Sequence, residues 1–128
     1  MKLLFESTKR FEKDIGSLPK QDSRRVVAAL NRYGTFVCSN PSTPYPNIYR
    51  TIIPRLKGGL DATLYSLRVD RDIRAILTVD DDPLFSQVII TLLRVVRHGE
   101  LERAYKGIPE SLYQGMLEKP SDGEKPNG

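Results

Sequence analysis

Leu64-Tyr65-Ser66-Leu67-Arg68-Val69-Asp70-Arg71-Asp72-Ile73-Arg74-Ala75-Ile76-Leu77 reads as two strands joined by a turn. A three-residue loop, Asp70-Arg71-Asp72, sets Val69 against Ile73, Leu67 against Ala75 and Tyr65 against Leu77. Extended over Ala62 to Val79, one face then collects Tyr65, Leu67, Val69, Ile73, Ala75, Leu77 and Val79. The other collects Leu64, Ser66, Arg68, Arg74, Ile76, Thr78 and Asp80. A two-residue loop destroys that sorting, and a buried face fixes register, so the three-residue loop is preferred. The loop has no glycine, but aspartate tolerates the left-handed conformation better than most residues.

This register places Arg68 directly opposite Arg74, on the face expected to be exposed. Like charges facing each other across strands are destabilising, by up to about 1 kcal/mol. The pair therefore calls for an anion: a phosphate, or a carboxylate such as Asp70, Asp72 or Asp80.

Working outward, three strands are expected at Ala62–Val69, Ile73–Val79 and Gln87–Val96, with Asp80-Asp81-Asp82-Pro83 as the turn between the last two. Val88 to Leu93 is apolar on both faces, which places that strand inside the sheet. At the N-terminus, Leu3-Leu4-Phe5 predicts a short strand, and Ser7 or Thr8 offers a helix cap. Phe11, Ile15 and Leu18 form a helical stripe. Pro19 opens a second helix reaching about Phe36, with Val26, Val27, Leu30 and Tyr33 on one side. Between Cys38 and Gly59 lie Pro41, Pro44, Pro46 and Pro54, which predict a long loop holding a short extended piece at Ile48 to Ile53. Residues 97–118 read as helical in two pieces, split near Gly107 and Pro109. Residues 119–128, KPSDGEKPNG, have no core former and are expected to be disordered. This order predicts one α+β domain over residues 1–118: a small, mainly antiparallel, four-stranded twisted sheet against two N-terminal helices, with a C-terminal helix.

The 128 residues suit one domain, and 39% hydrophobic content suits one modest core. No apolar run approaches the roughly 18 residues a membrane span needs. The apolar start is too short for a signal-peptide core. The single cysteine, Cys38, cannot form an internal disulfide, and a cytoplasmic location is expected. The net charge of +4 is unevenly spread. Residues 1–60 carry eleven basic and four acidic side chains, the remainder nine and twelve. A basic half suits a nucleic acid or an acidic protein, or is simply a solvated helix surface.

His98, the one histidine, follows the last strand. An imidazole there can serve as acid or base, or merely cap the next helix. Tyr105, seven residues on, shares a helix face with it. Tyrosine can stack on a base or pack a helix onto a sheet. No residues have metal-ligand spacing, Gly58-Gly59 is an ordinary turn signal, and Cys38 reads as a structural thiol.

The hairpin, with Leu56-Lys57-Gly58 before it and LLRVVRHGELERAY (Leu92 to Tyr105) after it, resembles the RelE/ParE superfamily of toxins from type II toxin–antitoxin systems. The resemblance spans about residues 3–106. It implies a twisted sheet on two N-terminal helices, and a cognate acidic antitoxin as partner. RelE-like members cut mRNA on the ribosome, ParE-like members poison DNA gyrase without catalysis, and a toxin-fold protein that only binds a protein partner is a third class. On the RelE reading, Arg74 matches the catalytic arginine that stabilises the pentacovalent phosphate. Arg68 matches a basic position that holds the RNA or helps activate its 2′-hydroxyl, and so does Lys57. His98 falls where a general acid for the leaving 5′-oxygen stands, and Tyr105 where a tyrosine orients the nucleotide. Arg94 and Arg97 are further candidates for RNA binding. No metal or cofactor is implied, because the nucleophile is the RNA's own hydroxyl. Gly99 departs from the pattern, standing where many of the nucleases have arginine.

Overall fold

The strand apolar on both faces, β5 (Gln87–Arg97), lies inside a five-stranded sheet of order β1-β5-β4-β3-β2. The computed structural model describes residues 2–40, 44–54, 61–82 and 84–108. In chain order the elements are β1 (Lys2–Ser7), α1 (Lys9–Ser17), α2 (Lys20–Ser39), β2 (Ile48–Pro54), β3 (Asp61–Arg68), β4 (Ile73–Asp82) and β5. A 3₁₀ turn, His98–Glu100, then leads into α3, residues 101–108. β1 pairs parallel to β5, and the other neighbours are antiparallel.

The expected hairpin register forms: Tyr65 pairs with Leu77, Leu67 with Ala75, and Arg68 with Arg74. The sorted face lies under α1 and α2, where Leu67, Ile73, Ala75 and Leu77 meet Phe11, Val26, Leu30 and Tyr33. The other face is not exposed as expected. Leu64, Ile76, Leu93 and Val96 on it are buried, with Ala104 and Ile108 of α3 in the same cluster. A bulge in β5 serves both faces. Ile76 pairs with Arg94 and Leu77 with Leu92, which leaves Leu93 as the extra residue. Leu92 and Val95 can thus both join the first core, while Leu93 and Val96 join the second.

Four strands were expected and five form. The short extended piece expected at Ile48 to Ile53 forms β2, which joins the sheet by pairing with β3 from Ile48–Leu67 to Pro54–Asp61. As an edge strand it has one partner, so a proline at its end removes no central ladder bond. The turn expected at Asp80 to Pro83 is also displaced. Asp80, Asp81 and Asp82 are the last residues of β4 and pair with Ile89, Val88 and Gln87. The chain reverses at 84–86, where Ser86 takes a left-handed φ of 52°. Asp82 braces that turn by accepting from the Phe85 N–H and the Gln87 amide. The second helix reaches Ser39 rather than Phe36. Gly107 lies within α3 instead of dividing it, and residues 109–128 lie outside the described residues. No described helix is long and apolar enough to cross a membrane.

Thr8 caps α1 by accepting from the Phe11 N–H, and its hydroxyl also donates to the Leu92 and Leu93 carbonyls. α1 thus covers the edge of β5 where β1 ends. α2 crosses β1 closely at Gly34. A Cβ there would sit 2.6 Å from a Leu3 methyl and 3.0 Å from the Phe5 ring. Gly34→Leu is therefore expected to overpack the contact and destabilise the protein by about 1–3 kcal/mol, read as a lower urea midpoint at unchanged slope.

Candidate active site

On the face beneath α3, Arg68, Arg74 and Val96 form one row across β3, β4 and β5. The two arginines resolve their mutual repulsion through the backbone. Arg74 Nη1 donates to the Asp70 carbonyl at 2.7 Å and to the Ile73 carbonyl at 3.2 Å. Arg68 Nε reaches the same Asp70 carbonyl at 3.4 Å. Among the described residues no carboxylate pairs with either guanidinium. Arg74 is buried, at 8% exposure, whereas Arg68 is exposed. Burying a cation is costly unless its donors are met. Among the described residues, Arg74 is met through Nη1 alone.

Of the aspartates named as internal partners, Asp70 and Asp72 turn their carboxylates to other groups. The Asp70 carboxylate accepts from the Asp72 and Ile73 N–H groups, each at 2.8 Å, and lies 3.6 Å from Arg25 Nη1 of α2. Asp72 pairs with Arg97 at 2.8 Å. Arg25 and Arg97 both also approach Asp22, at 3.6 and 3.9 Å. Burial pushes the Asp70 carboxyl upward, but the N–H groups of Ile73 and Asp72, then the cations Arg25 and Arg97, outweigh it and hold it below its ordinary value. A depressed native value means the unfolded chain binds the proton more readily. The stabilisation is full above the unfolded value of about 3.9 and is lost as pH falls through the native one. Urea midpoints measured from pH 6 down to pH 3 should fall less steeply at the acid end in Asp70→Asn than in the wild type.

The other candidates are distributed around this row. Tyr105 is half-buried on α3 and packs on the second core, on the same sheet face as Arg74. His98 is exposed just past β5, and its N–H donates to the Asp72 carbonyl at 2.6 Å, tying it to the hairpin loop. Arg97 is turned toward α2 by Asp72 and Asp22. Arg94 is held by Asp14 of α1, Nε to Oδ2 at 2.7 Å, and Asp14 also accepts from the Val95 N–H. Lys57 lies outside the described residues. The structure thus gathers Arg68, Arg74 and Tyr105 on one face, sets His98 at its end, and engages Arg94 and Arg97 in ion pairs with the helices and the hairpin loop. The sequence offered Asp70 as a partner for the arginines through its carboxylate; the structure joins them through the Asp70 carbonyl instead, which no side-chain pattern signals.

Among the described residues no cluster of His, Cys, Asp and Glu is arranged to hold a metal. A groove of about 560 Å³ lies elsewhere, along the outer side of α2 between Asn31 and Tyr45.

No family profile matches the chain. No curated protein sequence matches it. Solved structures do. The chain is similar to the YoeB dimer from Staphylococcus aureus, at a TM-score of 0.51 and 19% identity, over 77% of this chain and 99% of that one. It is also similar to the YoeB/ParE toxin from Agrobacterium tumefaciens (TM-score 0.48, 20% identity, 77% and 99% covered). A third similar structure is the toxin–antitoxin complex RelBE2 from Mycobacterium tuberculosis (TM-score 0.39, 18% identity, 77% and 100% covered). At such identity the likeness is one of fold: the chain shares its fold with the Staphylococcus aureus YoeB structure.

Proposed function

We propose that this protein is the toxin of a toxin–antitoxin pair and acts as a metal-independent endoribonuclease on ribosome-bound mRNA. The observation that carries the reading is the arginine pair. Arg68 and Arg74 face each other, share one carbonyl, and have no carboxylate among the described residues. That arrangement suits a phosphodiester, whose non-bridging oxygens accept from a guanidinium fork.

In this mechanism the 2′-hydroxyl of the RNA gives up its proton to solvent water, attacks the adjacent phosphorus and expels the 5′-oxygen. The products are a 2′,3′-cyclic phosphate and a free 5′-hydroxyl. Arg74, held before the substrate arrives, meets the charge that grows on the phosphoryl oxygens. Arg68 steadies the backbone or helps activate the hydroxyl. His98 gives its proton to the leaving oxygen, and Tyr105 stacks on or orients a base. Lys57 adds an electrostatic backbone contact.

The test is cleavage of ribosome-bound mRNA by the purified protein, alongside growth on induced expression. Growth arrest with cleavage supports the reading. Arrest without cleavage moves the target to DNA gyrase, and no arrest leaves a toxin-fold protein that only binds a partner. His98→Ala is expected to lose about 100-fold in cleavage rate and to shift the pH dependence of cleavage. The partner is a cognate antitoxin with an acidic segment that complements the basic N-terminal half. Co-expression with the adjacent reading frame should give a stable complex, and recovery of the tagged toxin alone at low and moderate salt counts against this.

A further inference from the structure

We infer that Asp70 is the positioning residue for the arginine site, its carboxylate locking the turn that aims its own carbonyl at Arg74 and Arg68. The inference rests on the reading of that site as phosphate-binding, and names the residue that orients it. Asp70 has two polar ends with opposite duties. The carboxylate lies on the α2 side, closes the loop through the Asp72 and Ile73 N–H groups, and faces Arg25. The carbonyl meets Arg74 Nη1 at 2.7 Å and Arg68 Nε at 3.4 Å.

The loop between the strands is only Asp70-Arg71-Asp72, without glycine, and its hydrogen bonds and ion pairs hold its shape. An aspartate that accepts from the N–H groups two and three residues ahead fixes the intervening peptide planes. The direction of the Asp70 carbonyl follows from those planes. A guanidinium held through one nitrogen to a fixed carbonyl loses its swing, and its remaining N–H groups then point in one direction. Arg68 and Arg74 share the acceptor, so a single residue sets both. α2 reinforces the arrangement from behind through Arg25, which bridges Asp22 and Asp70. The role differs from that of a loop aspartate that only stabilises the hairpin, because it acts on the orientation of two side chains on the opposite face.

Nuclear magnetic resonance of the arginine side chains in the full chain reads orientation without any need for activity. In the wild type the Arg74 Nη hydrogens should be resolved, while those of an exposed arginine such as Arg24 average by rotation. Averaged Arg74 signals in the wild type would overturn the inference before any variant is made. In Asp70→Ala the Arg74 signals should collapse to an average while backbone amides outside 68–75 keep their positions. Inorganic phosphate should then bind Arg74 roughly tenfold more weakly, the equivalent of one hydrogen bond. Asp70→Asn, whose amide oxygen can still close the turn, should restore the resolved signals and the phosphate affinity. Resolved Arg74 signals in a folded Asp70→Ala protein sink the idea, as does failure of Asp70→Asn to restore them. A wild type with resolved signals that binds phosphate but cuts no mRNA supports the positioning role and removes the nuclease.

Discussion

Arg74→Ala is expected to abolish mRNA cleavage and growth arrest. The residue would meet charge that develops only in the transition state, and removing one such donor typically lowers the rate on the order of 100-fold or more. The protein should still fold. Truncation leaves the Ile73 carbonyl without its side-chain donor, whereas the Asp70 carbonyl keeps Arg68 Nε. One such loss amounts to about 1–2 kcal/mol. Arg74→Lys separates charge from geometry. Lysine keeps the positive charge but lacks the planar fork, so it should keep the fold and recover little activity. The measurement is single-turnover cleavage of ribosome-bound mRNA by each variant, with circular dichroism and antitoxin binding as controls of folding. Cleavage by Arg74→Ala at the wild-type rate removes the mechanism proposed for this site.

Asp14→Ala should produce the largest loss of stability of the substitutions considered. Asp14 and Arg94 are mostly buried, their side chains 13% and 21% exposed. The carboxylate accepts from Arg94 Nε and from the Val95 N–H, so its removal strands a cation and a backbone donor together. Breaking such a pair costs about 3 kcal/mol, which lowers the melting temperature by roughly 10 °C or more in a domain of this size. Asp14→Asn retains an acceptor for Val95 and should lose less. The Arg97–Asp72 pair gives a contrast: its side chains are 43% and 55% exposed. Asp72→Ala should therefore shift stability by under about 1 kcal/mol. A melting temperature within a degree or two of the wild type for Asp14→Ala would show that α1 is not anchored to β5 through this pair.

Local pattern carried the hairpin. The apolar residues of Tyr65 to Val79 sort onto one face in one register only, so the Arg68–Arg74 pair was legible before any tertiary contact was known. The unbroken apolar run of β5 likewise placed it inside the sheet, because a strand with apolar side chains on both faces needs a core on each. A helix cap at Ser7 or Thr8, which the structure places on Thr8, and the two-helix layer followed from spacing over a few residues. Other features depended on distant partners. The extended piece at Ile48 to Ile53 was legible, but its place in the sheet was not, because that depends on pairing with β3. Asp80 to Asp82 remain in β4 because Gln87 to Ile89 pair with them, against a local preference for a turn. Arg94 meets an aspartate eighty positions earlier, and Arg97 meets residues of both α2 and the hairpin loop. A charge on its own does not say which opposite charge folding will bring near it. Which arginine is buried, and which carbonyl it holds, were decided by α3 covering the second face and by Asp70 turning its carboxylate away from the arginines. No periodicity in the chain encodes either, since both depend on where separate elements dock.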